Sequence, residues 1–167
     1  MSASASAHTV LVIGLGNELR GDDSVGLLAA EALRKHLIEG VRIETGHSDA
    51  TAFIDMMAQY QCVLILDAFQ TGGTSGTVQV YALGVRDPAA IGVRSSSHSV
   101  GIVDAVKLAR TLHGFPKSVT ICGIEGSQFG IGERISEKVL EAIPALIECV
   151  LVEINHIRSG KKALLLA

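Results

Sequence analysis

The stretch VLVIGLGNELRGDDSV, residues 10–25, decides the fold. Its first four residues are a short apolar run of Val, Leu and Ile that ends at a glycine, and such runs are typical of strands buried on both faces of a parallel sheet. The glycine-rich turn that follows leads into a helical pattern. Four further segments have strand patterns, at residues 41–45, 63–66, 77–82 and 119–122. The chain therefore contains five predicted strands.

Helical patterns lie between and after these strands, at residues 24–37, 49–60, 99–112 and 136–157. The resulting order predicts an α/β protein, a three-layer α/β/α sandwich around a five-stranded, mostly parallel mixed sheet. Only about ten residues join the third and fourth strands, too few for a helical crossover, so we expect the fourth strand to be antiparallel. We expect one domain over residues 1–167, with residues 1–8 flexible and residues 160–167 as a tail.

Composition and charge exclude several classes of protein. Hydrophobic residues make up 48% of the chain and charged residues 19%, which excludes a disordered chain and a highly charged coiled coil. The formal net charge of −3 gives no electrostatic basis for a nucleic-acid partner. The three cysteines are widely spaced in apolar runs, which indicates a reducing cytoplasm. Since we find neither a signal peptide nor an apolar run long enough for a membrane span, we expect a cytoplasmic protein without a membrane partner.

Three side chains are predicted to meet at one edge of the sheet. Glu18 lies in the loop after the first strand, Asp67 ends the third strand, and His98 precedes the third helix. In open α/β sheets the binding crevice lies at the carboxyl ends of the strands, so neighbouring first and third strands would bring Glu18 and Asp67 together there. The loop with His98 must return to the same end. Two carboxylates and one imidazole predict an open divalent-metal site, suited to nickel, zinc, manganese or cadmium.

The same residues also have structural interpretations. Asp67 could cap a turn, and His98 could cap or pack against the start of a helix. Asp22 and Asp23 are interpreted as carboxylates that complement the dipole of the helix directly after them. Together, however, the three loops favour a metal site over three unrelated structural roles.

Two other kinds of site were weighed. The first turn invites the dinucleotide fingerprint GxGxxG, but Leu19 occupies the third glycine position and Glu18 stands where a pyrophosphate would approach. Glu44 at the end of the second strand could mimic the ribose-binding acid, which keeps a nucleotide interpretation open. Nucleophilic catalysis has little support, because no GxSxG elbow occurs and the cysteines lie in apolar segments typical of inert core.

The chain resembles the hydrogenase maturation endopeptidases, which process the large subunit of nickel–iron hydrogenases. Three motifs carry the resemblance, in the family's order: GLGNE with DD (14–18 and 22–23), DA (67–68) and SSHSVG (96–101). It covers roughly residues 10–157 and implies that Glu18, Asp67 and His98 bind nickel. It also implies that the protein recognises nickel already inserted in the large-subunit precursor and then removes a C-terminal extension. Nickel would come with the substrate, other divalent ions could substitute for it, and the expected reaction is a metal-assisted attack of water.

The chain departs from the family pattern after the second strand. Many family members have Asp-Gly-Gly there, whereas this chain has TGHS, residues 45–48. Thr45 therefore replaces an acid that is a proposed participant in the reaction. His47 could be an additional ligand, although we favour a turn residue at this position.

Three functions remain open at this point. The leading one is an endopeptidase for a hydrogenase large-subunit precursor. The second is a non-catalytic nickel-binding maturation or scaffold protein that lost cleavage with the missing acid. The third is a nucleotide-binding α/β protein.

Overall fold

Five strands form the centre of the protein. The computed structural model describes residues 10–46, 50–83, 107–108, 111 and 115–160. Its strands are β1 (Val10–Gly14), β2 (Val41–Thr45), β3 (Cys62–Phe69), β4 (Val78–Leu83) and β5 (Ser118–Glu125). They form one sheet in the order β2-β1-β3-β5-β4.

The directions of the strands confirm the predicted mixed sheet. Strand β1 is parallel to both β2 and β3, β3 is parallel to β5, and β4 is antiparallel to β5. Strands β1 and β3 are neighbours, with Gly14 opposite Leu66. The fourth strand is therefore antiparallel, and the first and third strands end side by side, as expected.

Helices cover both faces of the sheet. A 3₁₀ turn (Gly21–Ser24) leads into α1 (Val25–Arg34), and the other described helices are α2 (Ala50–Met57) and α3 (Glu137–Arg158). Alternate residues of each strand point to opposite faces. On one face, Val10 and Val12 of β1 share a buried cluster with α1 and α3, whereas on the other face Leu11 and Ile13 share one with α2. This arrangement is the predicted three-layer α/β/α sandwich.

Helix α1 lies unusually close to the sheet. A Cβ atom on Gly26 would be 2.2 Å from the carbonyl oxygen of Leu15 and 2.3 Å from that of Leu66. Only a glycine can occupy this position without moving the helix, because real Cβ contacts are not that short. The close approach fixes the start of α1 directly behind the carboxyl ends of β1 and β3.

The ends of several elements differ from the prediction. The first helix begins three residues early, as a 3₁₀ turn, and its α-helical part ends at Arg34 rather than at residue 37. Strand β3 continues past Asp67 to Phe69, so the prediction that Asp67 ends the strand is wrong by two residues. The predicted helix at 99–112 lies outside the described residues except for Lys107, Leu108 and Thr111, which are helical. Within the described part of the chain, no helix combines the length and apolar character needed to cross a membrane.

Candidate active site

The carboxyl ends of β1 and β3 define the edge at which the candidate residues lie. The two strands are hydrogen-bonded up to their last paired residues, and the N–H of Leu15 donates to the carbonyl oxygen of Leu66 at 2.8 Å. Asp67 follows Leu66 directly, and Glu18 lies three residues after Leu15. The two acids therefore leave adjacent parallel strands at the same edge of the sheet, where open α/β proteins bind ligands.

Glu18 is exposed and borders a groove beside α1. The groove has a volume of about 490 Å³, and the residues that line it are Glu18, Ser24, Leu27, Leu28, Glu31 and Thr45. A tight turn holds the loop, because the side-chain oxygen of Asn17 accepts the N–H of Leu19 at 2.9 Å. Thr45, at the position where the sequence resemblance leads us to expect an acid, lines the same groove as Glu18.

Asp67 is buried, in contrast to Glu18. Its side chain is 1% exposed and lies within β3, on the face that β3 shares with α2. Its Oδ1 atom accepts the N–H of Ala68 at 2.8 Å. The interpretation of Asp67 as a turn cap is wrong, because the strand continues on both sides of it. Burial of a carboxylate is costly unless it has charged or hydrogen-bonding partners, and the N–H of Ala68 is one such partner of Asp67.

The third predicted ligand, His98, lies outside the described residues, as does His47. Within the segments that the structure describes, no three His, Cys, Asp or Glu side chains are grouped so that they could hold a metal ion. The described part of the candidate site therefore consists of Glu18, in the loop after β1, and Asp67, within the neighbouring strand β3. Oxygen donors of this kind bind divalent ions, and an imidazole would complete a set that suits nickel or zinc.

Asp22 has a different role from the predicted one. It is fully buried, and its carboxylate binds backbone N–H groups that are distant in the sequence. Its Oδ2 atom accepts the N–H groups of Ser127 at 2.7 Å and Gln128 at 2.9 Å, and Oδ1 accepts that of Ser136 at 2.6 Å. Ser136 is the N-cap of α3. The carboxylate does complement a helix dipole, but the helix is α3, which begins more than 100 residues later in the chain.

The hydrogen bonds to Asp22 also decide its charge. Burial, the largest single effect, raises the pKa of the Asp22 carboxyl, but the N–H donors of Ser127, Ser136 and Gln128 together outweigh it and lower that pKa below 3.8. Asp22 is therefore ionised at neutral pH, and its hydrogen bonds connect the loop that carries Glu18 to the loop after β5.

Glu125 is a buried acid that the sequence analysis did not single out. It ends β5, opposite Phe69 of β3, and is 1% exposed. Its Oε1 atom accepts the N–H groups of Thr71, Gly72 and Gly73 at 2.7, 2.9 and 3.1 Å. The signal that could have revealed it is the one used for Asp67, an acid directly after a buried apolar run. Glu125 shapes the loop between β3 and β4 at the edge where Asp67 lies.

The glycine-rich turn is not arranged to receive a phosphate. The N–H groups at the start of the 3₁₀ turn, which would face an anion, donate to carbonyl oxygens of the protein itself. Gly21 donates to Glu133 at 3.1 Å, and Asp22 donates to Gln128 at 2.7 Å. This use of the donors argues against the nucleotide-binding interpretation.

The cysteines are also unsuited to nucleophilic catalysis. Burial, followed by the neighbouring Cys149 and Glu153, raises the pKa of the Cys122 thiol well above 9.0. Burial, with a smaller effect of Glu153, raises the pKa of Cys149 as well. Thiols with raised pKa values stay protonated at neutral pH, and the thiolate is the nucleophile.

Comparison with known proteins identifies the family. The chain matches the model of the hydrogenase maturation protease family HycI over residues 28–153. The Hydrogenase 2 maturation protease of Escherichia coli (strain K12) is 29% identical over 151 residues, which cover 83% of this chain and 90% of that protein. The hydrogenase expression/formation protein HupM of Azotobacter chroococcum mcd 1 is 28% identical over 149 residues, 86% of this chain and 68% of that protein.

A solved structure supports the same conclusion. The hydrogenase maturating endopeptidase HybD from E. coli is similar to this chain with a TM-score of 0.75 and 26% sequence identity, and the match covers 90% of this chain and 93% of that one. The five-stranded mixed sheet and its helical layers are therefore the fold of these endopeptidases. The family model also matches well over half of this chain, and the chain therefore belongs to the hydrogenase maturation protease family.

Proposed function

We propose that this protease removes the C-terminal extension of the large-subunit precursor of a nickel–iron hydrogenase after nickel insertion, and that the inserted nickel is the recognition signal. The observation that carries the proposal is the position of Glu18 and Asp67, two acids that leave adjacent parallel strands at one edge of the sheet. The membership in a family of hydrogenase maturation proteases supplies the class of substrate.

The exposure of Glu18 suits contact with a metal ion that another protein brings. Glu18 is exposed on a loop, so it can reach an ion held in a partner, whereas Asp67 is fixed inside β3. We propose that Glu18, Asp67 and His98 contact the nickel of the precursor. An incomplete set of ligands holds a metal weakly, so a precursor that carries nickel would bind more tightly than one without it. Other divalent ions could replace nickel in the same contacts.

The chemistry we propose is hydrolysis by an activated water molecule. Burial raises the pKa of the Cys122 and Cys149 thiols, and Ser24 in the groove donates its hydroxyl to the carbonyl oxygen of Gly21 at 2.7 Å. Water therefore adds its oxygen to the carbonyl carbon of the scissile peptide, the C–N bond breaks, and a proton of the water passes to the departing amine. Metal-polarised water or carbonyl groups and neighbouring carboxylates are the groups that accelerate this step.

The groove beside Glu18 is suited to the peptide that contains the scissile bond. It has an apolar side formed by Leu27 and Leu28, and the polar side chains of Glu18 and Thr45 lie in the same depression. Peptide segments bind in such grooves through apolar contacts along their length and a few polar groups that fix their position.

The three cysteines are free, which agrees with a reaction in the reducing cytoplasm.

A cleavage assay tests the proposal. The substrate is the purified large-subunit precursor of the organism's own nickel–iron hydrogenase, with and without nickel, and the product is identified by mass spectrometry. We expect cleavage of the nickel-loaded precursor only, and its loss in the variants Glu18→Gln and His98→Ala. Glu31→Gln is the matched control, because Glu31 is an exposed carboxylate in the same groove whose partner is Arg34.

Each alternative outcome has a defined meaning. Equal cleavage of both precursors would show that nickel is not the recognition signal. Binding of the nickel-loaded precursor without cleavage would favour a non-catalytic maturation protein. Loss of activity in Glu31→Gln to the same extent as in Glu18→Gln would assign the effect to the charge of the groove rather than to a metal ligand.

A further inference from the structure

The loop that contains Glu18 is joined to a second loop. We call the two together the platform, which consists of residues 17–24 and residues 126–136. They are joined by backbone hydrogen bonds, from Gly132 N–H to Leu19 O at 2.7 Å and from Gly21 N–H to Glu133 O at 3.1 Å. The guanidinium Nε of Arg20 donates to the carbonyl oxygen of Phe129 at 3.1 Å. The buried Asp22 carboxylate adds three further hydrogen bonds between the two loops.

Ile131 lies at the tip of a tight turn in this platform. The turn is closed by the N–H of Glu133, which donates to Gly130 O at 3.2 Å, and Gly132 has a φ of +80°. These values are those of a type II turn with glycine in its third position, and Ile131 is the second residue. The side chain of Glu133 reinforces the turn by accepting the N–H of Gly130 at 2.6 Å.

The platform exposes two large apolar side chains to solvent. Ile131 is 87% exposed and Leu19 is 68% exposed. The hydrogen bond between Leu19 O and Gly132 N joins the two loops next to these side chains. Exposed apolar side chains that lie together beside a candidate site indicate a surface for a partner.

The position of this surface indicates its occupant. Leu19 directly follows Glu18, which borders the groove, so a partner that contacts Leu19 lies close to Glu18. A second copy of the chain bound there would cover Glu18 and prevent the substrate from reaching it. The substrate itself is the one partner whose binding to both places is compatible with activity.

We propose that Leu19 and Ile131 dock the folded body of the precursor, against an apolar surface that surrounds its metal centre. This inference rests on the proposed function and adds the surface through which the folded substrate, rather than only its peptide extension, is recognised. Because the platform is already ordered, docking loses little conformational entropy, which favours affinity. The metal would then meet Glu18 as a consequence of docking at the adjacent residue.

The test compares binding and cleavage in surface variants. Leu19→Ser and Ile131→Ser, singly and together, are measured against Leu37→Ser, whose side chain is 90% exposed beyond the opposite end of α1. We expect the double variant to raise both the dissociation constant and the KM for nickel-loaded precursor roughly tenfold, since two buried aliphatic side chains account for at least that much affinity. The melting temperature should not change, and Leu37→Ser should bind like the wild type.

The outcomes separate this inference from the proposed function. If the wild type cleaves the precursor and the double variant has an unchanged dissociation constant, the docking surface is wrong and the proposed function stands. If the wild type binds the precursor without cleaving it and the double variant binds more weakly, the surface is right and the proposed function fails. A dimer of the wild type that the double variant abolishes in analytical ultracentrifugation would assign the surface to self-association and overturn the proposal.

Discussion

Asp22 Oδ1 accepts a 2.6 Å hydrogen bond from the backbone N–H of Ser136, a residue 114 positions later that is the N-cap of α3. The other carboxylate oxygen of Asp22 binds two N–H groups of the loop after β5. One buried charge therefore joins three parts of the protein: the turn that carries Glu18, the loop with Ile131, and the start of the last helix.

The first prediction concerns the energetic value of this charge. We expect Asp22→Asn to lower the free energy of unfolding by about 2–4 kcal/mol. The carboxylate accepts three N–H groups, whereas the NH₂ group of the asparagine would face one of these donors and could not accept from it. Urea denaturation measures the difference. Glu31→Gln removes an exposed ion pair with Arg34 and should change stability by less than about 0.5 kcal/mol.

The same measurement decides between two roles of Asp22. A loss of only about 0.3–1 kcal/mol would be the value of a carboxylate that merely complements a helix dipole, as the sequence suggested. It would contradict the role of Asp22 as the buried connection between the loops.

The second prediction concerns pH. The folded protein holds the pKa of Asp22 below its ordinary value of 3.8, so the carboxylate contributes stability that is fully present above the unfolded pKa. This contribution is lost as the pH falls from about 4 through the lower, folded pKa. The difference in melting temperature between the wild type and Asp22→Asn should therefore be constant from pH 5 to 7 and shrink below about pH 4. A difference that is the same at pH 3 and pH 7 would show that the charge of Asp22 is not what stabilises the loops.

Much of the fold followed from the sequence because buried parallel strands leave a local pattern. The run at residues 10–13 and the pattern at 41–45 predicted β1 and β2 almost to the residue. Strand β3 was predicted too short because the polar side chain of Asp67 interrupts the apolar run, whereas the backbone ladder continues to Phe69 whatever the side chain is. The apolar pattern therefore located all five strands, but not the ends of β3 and β5.

The candidate site was predictable only in part. The topology alone predicted that Glu18 and Asp67 leave the same edge of the sheet, although Asp67 lies within β3 rather than at its end. The partners of Asp22 could not, because they lie 105 to 114 residues away and are backbone N–H groups, which have no sequence pattern. The docking surface was not predicted either. The exposure of Ile131 depends on a turn that is held by hydrogen bonds with Leu19 and Gly21, more than 100 residues earlier in the chain.

The third prediction concerns the close approach of α1 to the sheet. In Gly26→Ala, a new methyl group would meet the carbonyl oxygens of Leu15 and Leu66, so the helix must move away from both strands. We expect a loss of about 2–3 kcal/mol in the free energy of unfolding, the range for overpacking a core. Gly73→Ala is the control, because its nearest neighbour would be 3.4 Å away and no shift is required. Equal stability of the two variants would show that α1 can be displaced without cost.

The fourth prediction concerns removal of metal. The described core consists of apolar side chains packed on both faces of the sheet, and no ligand group for a closed metal site occurs among the described residues. We expect a chelator such as EDTA to change the melting temperature by less than about 1 °C, because only structural metals contribute their binding energy to folding. Differential scanning calorimetry with and without EDTA measures the change. A decrease of several degrees would identify a structural metal and contradict an open site.

The last prediction concerns Thr45, which lines the same groove as Glu18 and stands where the sequence resemblance leads us to expect an acid. We expect Thr45→Asp to bind Ni²⁺ about tenfold more tightly than the wild type, because an added carboxylate raises the charge and the number of oxygen donors around a divalent ion. Thr45→Asn is the matched control, since it has nearly the shape of aspartate without the charge and should bind Ni²⁺ like the wild type. Isothermal titration calorimetry of the three proteins gives the affinities. If Thr45→Asp binds no more tightly than Thr45→Asn, position 45 does not reach an ion at Glu18, and the missing acid has no part in holding the metal.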